Sequence, residues 1–178
     1  METGKVIAAV RTENELISAA ESDVKIIFFL APNILTLKNA VNFVHSKGKK
    51  LFIHLDLTEG IGKDKSGILY VKNVGVDGII STRVSIIKLA READLFTVQR
   101  FFTVDSKSVD TTVEGIKASK ADMIEIMPGV VTKAIKMLKE KISTPVIAGG
   151  LIESPTEVEE AIKAGAQAIS TGKKELWK

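Results

Sequence analysis

Three groups of residues in this sequence could do chemistry. The first is the pair Gly149-Gly150, at the end of the apolar run Pro145-Val146-Ile147-Ala148 and just ahead of a helix start, Ser154-Pro155-Thr156-Glu157. Glycines at the end of a buried strand leave backbone N–H groups open to a ligand, with no side chain in the way. Further on, Ile169-Ser170-Thr171-Gly172 again reads as a strand end leading into a helix start. Two such ends, late in the chain, could share a phosphate between backbone amides and a helix N-terminus. The second group is a pair of carboxylates set among apolar neighbours, Asp56 in Leu51–Leu57 and Glu125 in Met123–Met127. In a half-buried strand alternate side chains face opposite ways. Leu51, Ile53, Leu55 and Leu57 then share one face, leaving Phe52, His54 and Asp56 on the other; Ile124 and Ile126 likewise set Glu125 apart. A carboxylate turned inward must be solvated, paired or bound to a ligand. The third group is Arg83 and Arg100, near the ends of two strands, where a guanidinium suits forked recognition of phosphate or carboxylate.

Each group has a plainer reading beside it. The glycines could serve tight packing, the carboxylates a structural ion pair, His54 a satisfied core position, and both arginines an exposed surface. The alternation around Arg100 does not settle its facing.

Positioning these residues requires a repeating scaffold, and the sequence has one. Short β-branched runs at Val6–Val10, Ile26–Leu30, Leu51–Leu57, Gly78–Ser81, Phe96–Phe102, Met123–Met127, Pro145–Ile152 and Ala168–Ser170 alternate with helical patterns. Thr12-Glu13-Asn14-Glu15 reads as a capping box, and Asn33 and Asp105 or Ser106 as helix caps. Eight βα units in order predict a compact (β/α)8 TIM-type barrel, one domain over residues 1–178, with the chemistry at the C-terminal mouth. Gly75–Arg83 resembles Gly165–Lys173, as a half-barrel repeat would. At 178 residues the chain is short for this fold, so an open doubly wound parallel sheet is the alternative. The loop Gly60–Gly67 matches neither the dinucleotide nor the Walker pattern; it reads as a mobile loop over the mouth, lending Lys63.

Composition narrows the chemistry. With no cysteine, disulfides, thiolate metal sites and thiol catalysis are excluded. No apolar run is long enough for a membrane span, and the first residues lack a signal-peptide pattern, so a cytoplasmic protein is expected. No HExxH-type spacing calls for a metal, and no motif calls for a cofactor. The net charge of +3 is mild. Lysines gather at Lys47/Lys49/Lys50, Lys133/Lys136/Lys139/Lys141 and Lys173/Lys174/Lys178, without interleaved aromatics to stack bases.

Taken as a set, His54–Gly60, Gly78–Thr82, Gln99–Ser106, Ile124–Gly129 and Ile147–Ile152 resemble the glycerol uptake operon antiterminator regulatory family, in order and spacing, over nearly the whole chain. Ala8-Ala9-Val10-Arg11 departs from a family block that usually carries a proline before it. The resemblance implies a barrel-shaped regulator, not an enzyme. It would respond to glycerol-3-phosphate and act on the leader mRNA of glycerol-utilisation genes. Gly149, Gly150, Ser170, Thr171 and Gly172 would then hold the phosphate, helped by the dipole of the last helix. Asp56, Glu125, His54 and Arg83 would meet the glycerol hydroxyls. Leader mRNA and a homodimer are the expected partners; the RNA-binding residues are unassigned, with the lysine clusters as candidates by charge. The competing reading is a phosphate-substrate isomerase or lyase with Asp56 and Glu125 as acid and base.

Overall fold

Strands rich in Ile, Val and Phe need cover on both faces when parallel, and amphipathic helices supply it on the outside. The computed structural model describes residues 5–103 and 105–178; Met1–Gly4 of the N-terminal reading and Val104 of the Gln99–Ser106 block lie outside the described residues. The order is β1 (Val6–Val10), α1 (Glu13–Glu21), β2 (Ile26–Phe29), α2 (Ile34–Ser46), β3 (Lys50–His54), α3 (Lys65–Val74), β4 (Gly78–Ser81) and α4 (Val84–Glu92). It continues with β5 (Phe96–Phe102), α5 (Ser106–Ser119), β6 (Met123–Met127), α6 (Thr132–Lys139), β7 (Val146–Gly149), α7 (Pro155–Lys163) and β8 (Ala168–Thr171). Each strand pairs in parallel with the next, and β8 returns to β1 through Val6–Ile169, Ile7–Ser170 and Ala8–Thr171. The sheet is therefore a closed (β/α)8 barrel, not an open doubly wound one.

Economy of helix explains how a short chain closes it. Several helices span about two turns (nine residues in α1, α4 and α7, eight in α6), and the eighth is only a 3-10 turn at Lys174–Leu176. Trp177 takes that helix's place: its ring is buried in the cluster with Leu16, Ala19 and Val24, and its indole N–H donates to the Thr171 carbonyl at 2.9 Å. Capping is as the sequence predicts. Thr12 with Glu15 and Ser154 with Glu157 form capping boxes, Asn33 caps α2, and Asp105 rather than Ser106 caps α5. Among the described residues no helix is long and apolar enough to cross a membrane.

The barrel interior is filled by Ile7, Phe28, Phe52, Ile80, Val98, Met123, Ile147 and Ala168; burying each large apolar side chain contributes about 1.5–3 kcal/mol. A separate apolar layer lies between strands and helices.

Two local expectations fail. Strand three does not run to Leu57: it stops at His54, and Leu55–Leu57 is a 3-10 turn. The buried Thr58 hydroxyl donates back to the His54 carbonyl at 3.0 Å and closes that turn. Alternation ends there, so Asp56 is a turn residue and Leu57 is exposed. Nor does the Gly60–Gly67 loop lend Lys63 to the mouth. The Lys63 ammonium donates to the carbonyls of Thr58 and Ile61, Glu59 is bridged to Asn33, and Asp64 caps α3 through the Gly67 N–H.

Candidate functional site

Above the apolar filling, the uppermost inward positions turn polar. Glu125 on β6 is 1% exposed and Arg100 on β5 is 7% exposed. The Arg100 Nε–H donates to Glu125 Oε2 at 2.6 Å. Inward facing of Arg100 follows from β5 itself: Phe96 and Val98 point into the barrel, while Phe101 packs against the helix side. A charge-assisted bond this short offsets much of the desolvation of both groups. Gly149 makes room for it, since a Cβ there would lie 2.4 Å from Glu125 Oε1. His54, also inward and buried, has no hydrogen-bond partner for Nδ1 among the described residues. Burial, then the Arg100 charge, push its pKa down to about 4, against a weaker upward pull from Asp56. It is neutral at pH 7.

Beside this pair opens a cavity of about 350 Å³ at the ends of β1, β7 and β8. Gly150, Ser170, Thr171 and Gly172 line it, and so do Arg11, Arg100, Lys173, Glu125 and Glu153. Gly150 (φ +76°) and Leu151 (φ +61°) are both left-handed. The Gly129 N–H donates to the Gly149 and Gly150 carbonyls at 2.6 and 3.1 Å, so both carbonyls face the β6 loop. Among the described residues no protein acceptor meets the N–H of Gly150, Leu151 or Gly172. Thr171 contributes backbone only: its hydroxyl donates to the Ile152 carbonyl at 2.7 Å and accepts from the Lys173 N–H at 3.0 Å. A last-helix dipole is not available, because the 3-10 turn Lys174–Leu176 is too short to carry one. Positive potential comes instead from Arg11, Arg100 and Lys173.

Asp56, His54 and Arg83 are not among the cavity's lining. Asp56 is held at the β3–β4 rim, where it accepts from the Ser81 hydroxyl (3.0 Å), the Thr82 N–H (2.8 Å) and the Thr82 hydroxyl (3.1 Å). Arg83 Nε stands 3.5 Å from Asp56 Oδ1, and its side chain is 57% exposed. His54 Nδ1 lies 3.9 Å from Asp56 Oδ2. The structure thus gathers Gly149, Gly150, Ser170, Thr171, Gly172 and Glu125 on one side of the mouth. Asp56, Arg83 and His54 belong to the other.

Sequence reasoning passed over Arg11 and left Lys173 in a charge cluster. The signal that could have found both is the one applied to Arg83: a basic residue within two positions of a strand end. Of the lysine clusters, Lys49 is buried with its ammonium on the Ala19 and Ser22 carbonyls. Lys47 pairs with Glu21, and Lys141 with Asp110, each at 2.6 Å. Among the described residues no group of His, Asp and Glu could hold a metal ion.

Comparison with known proteins places the chain among described relatives. Residues 6–177 match the model of the glycerol-3-phosphate responsive antiterminator family. The uncharacterized protein YgcP of Escherichia coli (strain K12) is 40% identical over 173 residues, 97% of this chain and 91% of that protein. Among solved structures, the glycerol uptake operon antiterminator regulatory protein of Listeria monocytogenes superposes with a TM-score of 0.92 at 33% identity, covering 97% of this chain and 94% of that one. A glycerol uptake operon antiterminator-related protein of Thermotoga maritima gives 0.88 at 32% identity, covering 98% of each.

Proposed function

The chain belongs to the glycerol-3-phosphate responsive antiterminator family, and on that premise we propose that the cavity at the ends of β7 and β8 is its glycerol-3-phosphate sensor site. The observation that carries the proposal is that one small cavity is lined by Gly150, Leu151 and Gly172, whose backbone N–H groups have no protein acceptor among the described residues, together with Arg11 and Lys173. Unpaired amides with two cations beside them are what a phosphate dianion needs. The Ser170 hydroxyl adds a polar contact at the floor. The glycerol end then reaches Glu125, which accepts from a hydroxyl while the Arg100 Nε–H holds the carboxylate in place. Asp56, His54 and Arg83 stand at the opposite rim, outside the lining of this cavity.

The site reads as a sensor rather than a catalytic centre. An acid and base pair made of Asp56 and Glu125 would have to share a cavity with the substrate, yet Asp56 is spent on Ser81 and Thr82. The output is antitermination on leader mRNA in the cytoplasm, with the ligand-bound barrel contacting the transcript.

A thermal shift tests the sensor. Millimolar glycerol-3-phosphate should raise Tm by about 5 °C or more if present at ~100 times Kd, and well above the rise with inorganic phosphate. The double variant Arg11→Ala/Lys173→Ala should lose most of that rise, and Arg83→Ala should keep it. An unshifted wild-type protein would sink the reading; an unaffected double variant would move the phosphate elsewhere.

A further inference from the structure

Exposed apolar side chains are unevenly placed. Of the eight large hydrophobics exposed among the described residues, five (Leu35, Leu57, Phe102, Val131 and Leu151) stand at the C-terminal rim. Singly such residues need no account, but a concentration at one end of the molecule does. Phe102, Val131 and Leu151 follow one another along the ends of β5, β6 and β7. Phe102 pairs in register with Met127, Met127 lies against Gly150, and Met127 and Leu151 both line the ligand cavity. Phe102 is 60% exposed. Beside it a groove of about 440 Å³ runs between α5 and α6, walled by Val109, Pro128, Val131 and Met137. Thr103, Asp105 and Lys133 are the polar residues of its lining. The Thr103 residue is 3% exposed, and its hydroxyl has no partner among the described residues.

We propose that this rim, centred on Phe102, is the docking surface for single-stranded RNA: a base stacks on the Phe102 ring and turns its edge toward Thr103 and Lys133 in the groove. The inference rests on the antiterminator reading above and adds the place of contact. Exposed aromatic faces accept unstacked bases of any sequence, and a buried hydroxyl without a partner can be satisfied by a base edge. Backbone phosphates would meet Lys133, which no ion pair holds among the described residues; Arg11 and Lys173 stay with the ligand's phosphate. Asp105, the carboxylate of the groove, accepts from the Ser108 N–H as the cap of α5. A second copy fits less well, because a two-fold contact over this rim would set Lys133 against its own image, whereas a polyanion neutralises it. The lysine-rich flanks offer charge without an exposed ring. Placement here also gives ligand and RNA a shared wall in Met127 and Leu151, so occupancy of the cavity reaches the transcript directly.

The test is binding of a labelled leader transcript from the glycerol-utilisation genes of the source genome, at fixed salt, with and without glycerol-3-phosphate. Phe102→Ala should weaken binding about tenfold while keeping the thermal shift with glycerol-3-phosphate, and Phe102→Trp should restore affinity. Lys133→Ala should flatten the salt dependence, and Lys136→Ala should behave as wild type. Equal RNA affinity in Phe102→Ala would overturn the location while leaving the antiterminator reading intact. So would a change from dimer to monomer in that variant by sedimentation with RNA affinity unchanged, which would make the rim a contact between copies. A wild-type protein that binds no transcript under either condition would overturn direct RNA contact, and this inference with it.

Discussion

The β3–β4 rim and the β7–β8 rim are built alike and used differently. In both, the hydroxyl at the strand end accepts the N–H two residues on: Ser81 from Arg83 and Thr171 from Lys173, each at 3.0 Å. This matches the faint similarity of Gly75–Arg83 to Gly165–Lys173. At the first rim the intervening N–H, that of Thr82, binds the Asp56 carboxylate at 2.8 Å. At the second the equivalent N–H, that of Gly172, meets no protein acceptor among the described residues, and a cavity opens there. The same turn occurs twice. The protein fills one with its own carboxylate, and the proposed sensor site places the ligand's phosphate at the other. Asp56 on the Thr82 N–H supports an anion as the group proposed there.

Removing Asp56 from the first rim, and Glu125 from β6 beside the second, is the strongest way to break this comparison. Glu125→Ala strands Arg100 in the barrel without its partner, and breaking a buried pair costs about 3–5 kcal/mol. Access of water from the cavity places the expectation near the lower end. Asp56→Ala leaves the exposed Thr82 donors to water and the buried Ser81 hydroxyl without its acceptor, so about 1–2 kcal/mol is expected. Urea denaturation compares the two, and the thermal shift with glycerol-3-phosphate should vanish only in Glu125→Ala. Equal losses, or a lost shift in Asp56→Ala, would mean the rims do not divide their work in this way.

His54 feels both rims, and pH reads out which prevails. With its folded pKa near 4 against 6.5 for the ordinary imidazole, the unfolded chain binds the proton first. Its contribution is therefore present above pH 6.5 and lost as pH falls toward 4, up to about 3 kcal/mol. Between pH 7 and 4, wild type should lose more stability than His54→Gln by up to that amount. If Asp56 prevailed instead, the folded pKa would be raised and the difference would take the opposite sign.

What the sequence showed of this arrangement followed its alternation, and what it hid lay where alternation is silent. The four residues of β4, the seven of β5 and the five of β6 were read to their ends, and Glu125 was turned inward because Ile124 and Ile126 declared the outer face. Arg100 could not be turned the same way, because β5 is apolar on both sides, with Phe96 and Val98 inside and Phe101 outside. Asp56 looked like a strand residue because Leu55 and Leu57 kept the period for two more steps, although the chain had already bent into a 3-10 turn. Its partners, Ser81 and Thr82, are brought to it only by barrel closure. Arg11 and Lys173 lie past their strand ends, where no periodicity reports direction. Trp177 had no pattern around it at all, so its work as a replacement for an eighth helix appeared only in the packing.

The smallest effect sharpens the contrast furthest. Gly60 and Gly150 share the same left-handed backbone, φ +76° in each, but stand in the loops after β3 and β7. A Cβ at Gly60 would lie 2.4 Å from Cγ2 of Ile34, a β-branched side chain packed against the core. At Gly150 the nearest atom is the Met127 Cε, 2.8 Å away, the far end of a flexible thioether that can swing aside. Gly150→Ala should therefore cost little beyond the backbone strain, about 1 kcal/mol, and Gly60→Ala more. For the ligand the order reverses. Displaced Met127 enters the cavity wall, so Gly150→Ala should lower glycerol-3-phosphate affinity by calorimetric titration, while Gly60→Ala, on the rim that Asp56 already fills, should bind as wild type. A Gly60→Ala protein that folds but loses the ligand would show that the closed rim also touches it.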